Sequence, residues 1–297
     1  MELRVLQYFL AVAREQNISA AAESLHLSQP ALSTQLKGLE EELGKQLLIR
    51  GTKGSRKVLL TEEGMILRKR AEEILSLVRK TENEIQVSDD VISGDIYIGA
   101  SETDFIRFFA RAACGLKERY PDIRYHISSG NSSYVMEHLD KGLIDFGLIY
   151  GEAEHSRYES VPLPFKDRFG ILMRKDDPLA EKDFIHPEEM RDKPLIVSHQ
   201  EQGDNWPVLA KINPDVSSLH IAATYTLIYN GSLLVEEGLG YAVCFDRLIN
   251  TGGGSVLCFR PFEPAIETSP RIVWKKYQIF SKAAEKFLKK LKEELEI

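Results

Sequence analysis

Residues 19–44, SAAAESLHLSQPALSTQLKGLEEELG, constrain the fold more than any other stretch, because they place two short helical patterns a few residues apart. Leucines in the second pattern recur at spacings of four, three and four, which predicts one apolar face of an α-helix. These leucines are Leu32, Leu36, Leu39 and Leu43. Two short helices joined by about three residues form a helix-turn-helix.

The expected ends of these helices follow from their capping residues. Ser19 is a suitable N-cap for the first helix, which we expect to end near Leu25. Ser28 is a suitable N-cap for the second helix and places Pro30 in the first turn, where the N–H groups have no intrahelical acceptor. Gly44 is a suitable residue to follow the last turn.

The next residues predict a wing and a long helix. Residues 45–61, KQLLIRGTKGSRKVLLT, contain two short β-like runs around a basic, glycine-rich tip, which predicts a hairpin and hence a winged helix. Thr61 precedes two glutamates, and this order predicts the start of a helix that continues to about Val87.

The long helix carries a heptad pattern formed by Leu67, Ala71, Ile74, Val78, Thr81 and Ile85. Such a seam predicts packing against a partner helix. We favour dimerisation through its apolar members, which are Leu67, Ala71, Ile74, Val78 and Ile85. Packing against another part of the same chain is the alternative interpretation.

Beyond the polar hinge VSDDVISG (87–94), strand-like and helix-like patterns alternate, which predicts parallel sheets in two α/β lobes. A cleft between two such lobes is a common ligand site. In the second lobe we expect helix-like runs at 187–192, near 205–212 and near 229–238, and an amphipathic helix from Ser281 ends the chain. The predicted domains are 1–60 (winged helix-turn-helix), 61–88 (linker helix), 93–164 plus 266–297 (first lobe) and 165–265 (second lobe).

Composition argues against several classes of protein. The net charge is −7, but residues 1–60 hold eight basic and six acidic side chains, an excess compatible with binding phosphates. The three cysteines lack CxxC spacing, and we find no catalytic motif, so we expect no metal, no cofactor and no enzymatic activity. Apolar runs in the early chain are too short to span a bilayer, so we expect no membrane partner.

One face of the second helix is rich in small polar side chains, which are Gln29, Ser33, Thr34 and Lys37. In helix-turn-helix proteins this part of the helix enters the major groove, where Gln pairs with adenine and Lys reaches guanine or phosphate. The alternative is an ordinary solvated face, which the alanine-rich helix and basic hairpin disfavour. In the hairpin, the side chains expected to contact phosphates are Arg50, Lys53, Arg56 and Lys57.

The segment FLAVAREQNISAAAESLHLSQPALSTQLKGLEEELGKQLLIR, followed by LTEEG and the long helix, resembles the LysR-type transcriptional regulators. GLIDFGLI, DDPLA and VEEGLGYAV resemble segments of that family's effector-binding part. Two departures are Leu48, where the family usually has Phe, and the longer wing tip GTKGS. By position, the family's DNA-facing residues correspond to Ser28, Gln29, Pro30, Ala31, Ser33, Thr34 and Lys37, with Arg50 and Thr61 near the wing.

The resemblance implies an α/β chain with an N-terminal winged helix-turn-helix, a dimerising linker helix and a two-lobed, periplasmic-binding-protein-like effector-binding domain. It also implies a small-molecule effector, dimers or tetramers, and partners in double-stranded promoter DNA and RNA polymerase. We therefore predict a cytoplasmic, sequence-specific regulator of transcription. The alternatives are a small-molecule-binding protein whose N-terminal domain contacts other proteins, and an enzyme that uses the cleft.

Polar residues at the ends of predicted strands indicate the effector site, because ligands of open α/β sheets bind there. These are Ser101 and Thr103 after the first strand, Asn131 and Ser132 after the next, Ser198 in the second lobe, and Tyr225, Tyr229 and Asn230 before the last cleft helix. Ser101 is alternatively a simple N-cap, and the tyrosines alternatively pack between the lobes. Hydroxyls and helix N-termini favour an anionic or hydroxylated effector, although no Arg is clearly placed to bind a carboxylate.

Overall fold

The computed structural model describes residues 1–51, 57–86, 92–199 and 208–296. Lys53 and Arg56 of the predicted wing, and the predicted end of the linker helix at 87–88, lie outside the described residues. The chain divides into two compact units, Met1–Gln86 and Val87–Ile297. Each unit has its own hydrophobic core.

The N-terminal unit contains α1 (Leu3–Glu15), α2 (Ile18–Ser24), α3 (Gln29–Leu43), β1 (Leu48–Arg50), β2 (Val58–Leu60) and α4 (Glu62–Gln86). Strands β1 and β2 pair antiparallel, with Leu48 opposite Leu60. Phe9, Leu32 and Leu36 are almost completely buried, so the apolar face predicted for α3 packs into the core. This arrangement confirms the predicted winged helix-turn-helix.

Capping side chains fix the ends of α3 and α4 as predicted. Ser28 Oγ accepts a hydrogen bond from the Ala31 N–H at 3.3 Å, and Gly44 ends α3 in the left-handed region with a φ of 63°. Thr61 Oγ1 accepts a hydrogen bond from the Gly64 N–H at 3.0 Å where α4 starts. The first turn of α3 accommodates its proline, because N–H groups there have no intrahelical acceptor.

Two local predictions are wrong. Asn17, and not Ser19, caps α2, because the Asn17 side chain accepts hydrogen bonds from the N–H groups of Ser19 and Ala20 at 2.9 and 3.2 Å. Leu43 is 41% exposed, whereas Leu39 is buried, because the last turn of α3 extends past the apolar core.

The heptad pattern of α4 packs partly within the N-terminal unit. Ala71 and Leu75 are buried against Leu6 of α1, and Leu67 and Ile74 are half-buried at the same contact. The first half of the predicted seam therefore follows the alternative interpretation, which was packing against the same chain.

The first sheet of the C-terminal unit contains β3 (Gly94–Ala100), β4 (Ile123–Ser129), β5 (Phe146–Tyr150), β6 (Tyr158–Pro162) and β13 (Pro270–Lys275). Its strand order is β4-β3-β5-β13-β6. β3 pairs parallel with β4 and β5, whereas β13 pairs antiparallel with β5 and β6. Helices α5 (Ile106–Lys117) and α9 (Lys282–Glu294) pack on one cluster of this sheet, and α6 (Ser132–Asp140) packs on another.

The second sheet contains β7 (Asp167–Arg174), β8 (Leu195–Ser198), β9 (Ile221–Tyr225), β10 (Tyr241–Phe245), β11 (Leu257–Pro261) and β12 (Glu267–Thr268). Its order is β11-β7-β10-β8-β9, and β12 also pairs with β7. Helices α7 (Leu209–Ile212) and α8 (Ile228–Glu236) accompany it. The chain enters this sheet after β6 and returns before β13, so two connections join the sheets and the predicted two-lobed α/β architecture is confirmed.

Sequence patterns predicted the inner strands better than the edge strands. β6, β9, β11 and β12 were not predicted; β6, β9 and β11 lie at sheet edges, and β12 has only two residues. The helix-like run predicted at 187–192 is a single 3₁₀ turn, Pro187–Met190.

The corrected cap of α2 gives a stability prediction. Asn17→Ala should lower the free energy of unfolding of the N-terminal unit by about 1 kcal/mol, because two first-turn N–H groups lose their acceptor. Ser19→Ala is the matched control and should change it by less than about 0.5 kcal/mol, since the Ser19 side chain is exposed. Unfolding in urea, detected by hydrogen exchange in peptides that contain α2, measures both changes in the free energy of unfolding. A larger loss for Ser19→Ala would contradict this assignment of the cap.

Candidate nucleic-acid interface and ligand cleft

The N-terminal half of α3 presents polar side chains on the surface of its unit. Its buried leucines lie on the opposite side and fix the helix against the core. The exposed residues include Ser28, Gln29, Pro30, Ala31, Thr34 and Lys37, while Ser33 is half-buried. The structure thus places the predicted residues of this helix on an accessible face.

Short-range hydrogen bonds organise this face. Gln29 Nε2 donates to Ser33 Oγ at 2.8 Å, and Thr34 Oγ1 donates to the Pro30 carbonyl at 2.9 Å. The Gln29 side chain is exposed, so its hydrogen bond competes with water and contributes little to stability. These groups can therefore exchange their present partners for the edges of bases at small cost.

Glu40 of α3 joins the wing to the recognition helix. Its Oε1 accepts hydrogen bonds from the N–H groups of Leu47 and Leu48 at 2.8 and 3.0 Å. Its Oε2 lies 3.0 Å from Arg50 Nη2. Arg50, predicted as a phosphate contact, is thus already paired, and this pairing orients its guanidinium beside the start of the wing.

The remaining residues predicted near the wing have different surroundings. Thr61 Oγ1 donates to the Gln46 carbonyl at 2.7 Å while capping α4, so both its hydrogen-bonding roles are structural. Lys57 is exposed immediately before β2. Lys53 and Arg56 lie outside the described residues.

A cleft of about 590 Å³ in the C-terminal unit is lined by residues of both sheets. Of the predicted effector residues, it brings together Ser101, Ser132, Ser198 and Tyr225. Ser101 directly follows β3, while Ser198 and Tyr225 end β8 and β9. The carboxyl ends of parallel strands from both lobes therefore face one cavity, as in other open α/β folds.

Four predicted residues do not line this cleft. Thr103 is buried and Asn131 caps α6 through its side chain, so both have structural partners. Tyr229 and Asn230 lie within α8 and are exposed, Tyr229 by 65%. The sequence prediction placed these two residues before the helix, because the first turn of α8 has no capping side chain to indicate its start.

Several lining residues were not predicted from the sequence, among them Tyr150, Phe169 and Phe245. The rings of Phe169 and Phe245 have centroids 4.2 Å apart, and those of Tyr150 and Phe245 are 4.8 Å apart. This aromatic cluster gives the cleft an apolar wall. Glu102 had one sequence signal, because it lies between two predicted residues.

Asp167, the first residue of β7, links the two sheets beside the cleft. Its Oδ2 accepts a hydrogen bond from Thr103 Oγ1 at 2.7 Å and another from the Tyr150 hydroxyl. Burial raises the pKa of Asp167, although both hydroxyl donors oppose this change. Burial and the neighbouring carboxylate raise the pKa of Tyr150, which keeps its hydroxyl a hydrogen-bond donor.

Glu102 makes a second link between the sheets. Its Oε2 accepts a hydrogen bond at 2.6 Å from the N–H of Ile228, the first residue of α8. Burial raises the pKa of the Glu102 carboxyl, and the Ile228 N–H partly opposes this effect. The carboxylate thus occupies the N-terminus of α8, where the helix dipole favours negative charge.

Within residues 1–51, 57–86, 92–199 and 208–296, no group of three or more His, Cys, Asp or Glu side chains is arranged to hold a metal ion. No helix in the described part of the chain is long and apolar enough to cross a membrane.

Two family models match the chain. Residues 3–65 match the bacterial regulatory helix-turn-helix protein model of the lysR family. Residues 89–296 match the LysR substrate binding domain. Together they cover both units.

Similar proteins include the HTH-type transcriptional regulator YfeR of Shigella flexneri, 26% identical over 95% of this chain and 91% of the relative. The regulator AlsR of Bacillus subtilis is 32% identical over 70% of this chain and 67% of the relative. Among solved structures, CbnR in complex with its target DNA matches with a TM-score of 0.75 at 19% identity, covering 99% of this chain and 100% of that one. Full-length BenM matches with a TM-score of 0.53 at 25% identity, covering 100% and 96%.

The buried Asp167 gives a prediction about pH. The pKa of Asp167 is raised from its ordinary value of 3.8, so the folded protein keeps a proton that the unfolded chain has already lost. Wild-type stability therefore falls as pH rises through this range, and the non-titrating Asp167→Asn avoids that loss. The free energy of unfolding of Asp167→Asn, relative to wild type, should increase as the pH rises from the ordinary pKa of 3.8 through the raised pKa of Asp167.

Urea unfolding at a series of pH values measures this difference. A relative stability of Asp167→Asn that decreases as pH rises would show that the hydroxyls of Thr103 and Tyr150 stabilise the charged carboxylate more than burial destabilises it.

Proposed function

This chain belongs to the LysR family of transcriptional regulators, and from that membership we propose which of its residues bind DNA, associate protomers and bind the effector. The matched domains make it a DNA-binding transcriptional regulator with an effector-binding domain. The proteins to which it is similar are named as regulators and not as enzymes.

We propose that α3 enters the major groove. The observation that carries this proposal is the division of α3 into a buried leucine face and an exposed face of small, mostly uncharged polar groups. Gln29 is suited to adenine, Ser33 and Thr34 can donate or accept, and Lys37 reaches guanine or phosphate. Ala31 and Pro30 are small enough to approach a thymine methyl.

The wing would supply affinity more than sequence discrimination. We propose that Arg50, Lys57 and, from the sequence alone, Lys53 and Arg56 contact phosphates. The pairing of Arg50 with Glu40 supports this, because it fixes one guanidinium beside the recognition helix. Ser28 and Thr61 would act through the helix ends that they cap.

We propose that the second half of α4 associates protomers. Ala71 is completely buried within the unit, whereas Val78 is half-buried and Ile85 is 77% exposed. If a partner helix covered this isoleucine completely, burial of its apolar surface would stabilise the association by about 1.5–3 kcal/mol. Leu67, Ala71 and Ile74 would then support the interface by fixing α4 on α1.

We propose that an effector enters the cleft between the two sheets and changes the angle between them. Ser101, Ser132, Ser198 and Tyr225 line that cleft, which supports their assignment as contacts. Through a dimer or tetramer, this change would alter the spacing of paired winged helices on promoter half-sites. We further propose that the regulator works in the cytoplasm and contacts RNA polymerase.

The domain limits follow from the same proposal. We assign 1–60 to the DNA-binding domain, 61–88 to the linker helix, 93–164 plus 266–297 to the first lobe and 165–265 to the second. The two sheets support the last two assignments, because the chain leaves the first sheet after β6 and returns at β13.

The assignment of Gln29 is tested by footprinting and quantitative binding to promoter fragments. Gln29→Ala should cost about 1–3 kcal/mol at particular base pairs and relax specificity there. Lys57→Ala is the matched control, because loss of a phosphate contact should weaken binding to all sequences and lower the salt slope by about 1. If Gln29→Ala weakened binding equally to all DNA sequences, Gln29 would contact only the DNA backbone. If the protein protected no promoter fragment at all, its proposed role as a DNA-binding regulator would be refuted.

Ile85→Asp tests the proposed association surface. A charge at this exposed apolar position should lower the association constant at least about tenfold, because a desolvated carboxylate would have to enter the interface. Met65→Asp, which changes another exposed apolar residue of α4, should leave association unchanged. Analytical ultracentrifugation measures both constants, and equal effects of the two variants would contradict a role for the second half of α4.

A further inference from the structure

The cleft is unusual in the charge of the groups that line it. Its acidic side chains are Glu102 and Glu267, and none of the described residues that line it is Lys, Arg or His. Negatively charged ligands are ordinarily bound by Arg or Lys side chains, so an anion would find no basic side chain among these lining residues.

Glu267 is already neutralised. Its carboxylate lies 3.1 Å from Lys166 Nζ and 3.6 Å from Arg168 Nη2, and these two bases hold the pKa of Glu267 below its usual range. Lys166 and Arg168 line an adjacent pocket of about 220 Å³, together with Arg247 and Asp246, and of the described residues this pocket shares only Glu267 with the cleft. Glu102 is therefore the acid whose charge remains to be balanced.

Glu102 also occupies one of the helix N-termini that favoured an anionic effector. The N–H of Ile228 opens α8 toward the cleft, and Glu102 Oε2 already accepts its hydrogen bond at 2.6 Å. An anionic ligand would have to displace this carboxylate or lie beside it. Two carboxylates close together in a partly buried site repel each other.

Three hydroxyl donors of the cleft already have acceptors within the chain. Tyr225 donates to the Val243 carbonyl at 2.7 Å, and Ser132 Oγ donates to the Tyr150 carbonyl at 3.2 Å. The Tyr150 hydroxyl donates to Asp167. These three hydroxyls would have to give up their present acceptors before they could donate to a ligand.

An independent observation indicates where a ligand is missing. Ser101 is 96% buried and lines the cleft, and its Oγ has no hydrogen-bond partner among the described residues. A buried hydroxyl without a partner costs free energy, and native proteins rarely leave one so. Ser101 precedes Glu102 in the same loop, so one ligand group could satisfy both side chains.

We propose that the effector of this regulator is an organic cation whose ammonium or amidinium group donates hydrogen bonds to Glu102 and Ser101. Its apolar part packs against the rings of Phe169 and Phe245, whose faces also attract cations. This inference rests on the proposed function, since it assigns the chemical class of the effector to the cleft described above. Glu102 determines the specificity, because it supplies the unbalanced negative charge.

Matched probes test the proposal on the full-length protein. Benzylamine and benzamidine are compared with benzoate, and pentylamine is compared with hexanoate, by calorimetry and thermal shift. The amines and the amidine should bind and raise the melting temperature, whereas the carboxylates should not. A carboxylate that binds more tightly than its cationic counterpart, or a failure of every cation to bind, overturns the proposal.

Variants then separate the role of Glu102 from a general effect of negative charge. Glu102→Gln keeps an acceptor for the Ile228 N–H but removes the negative charge. It should therefore lower the affinity for the cations by about tenfold or more. Glu237→Gln, an exposed residue at the other end of α8, is the matched control and should leave binding unchanged. Unchanged affinity of Glu102→Gln for the cations overturns the proposal.

A parallel footprint distinguishes this failure from failure of the proposed function. If the footprint on promoter DNA changes when a carboxylate is added, and not when a cation is added, the proposed function stands and only the proposed ligand class is refuted. Absence of DNA protection at moderate salt would refute the proposed function whether or not the amines bind.

Discussion

Partly buried carboxylates that accept hydrogen bonds from distant elements are the interaction on which both units depend. Glu40 accepts hydrogen bonds from the backbone of the wing and so holds it against α3. Asp167 accepts hydrogen bonds from hydroxyl groups of the other sheet, and Glu102 accepts one from the first N–H of α8. Each carboxylate thereby joins its own segment to at least one distant element, because a carboxylate oxygen can accept more than one hydrogen bond. Hydrogen bonds to a charged acceptor are stronger than neutral ones, which offsets part of the cost of burial.

In the N-terminal unit, the Glu40 carboxylate fixes the wing beside the exposed polar face of α3. The leucines of α3 decide which side faces the core, and Glu40 then decides where the wing begins relative to that helix. The polar face needs no strong internal partners, and its side-chain hydrogen bonds are local and exposed. A rigid helix with a weakly committed surface is suited to groove recognition, because little must be broken before bases are contacted.

In the C-terminal unit the same interaction has a different consequence. Burial raises the pKa of both Asp167 and Glu102, so the links between the sheets are made by groups that resist ionisation. A ligand that supplies a positive charge or N–H donors would stabilise the ionised carboxylate of Glu102. The contact between the lobes and the binding of a ligand thereby use the same side chain, which gives a physical route from occupancy to lobe orientation.

The sequence by itself determined the helices and buried strands, the Ser28 and Thr61 caps and the position of α3, because these depend on periodicity and on neighbours within a few residues. Only the tertiary structure decided that half of the α4 seam packs on α1 and that Tyr229 faces solvent. Glu102 and Ile228 are 126 residues apart. No local pattern records such a contact, because it exists only after two sheets have folded and docked.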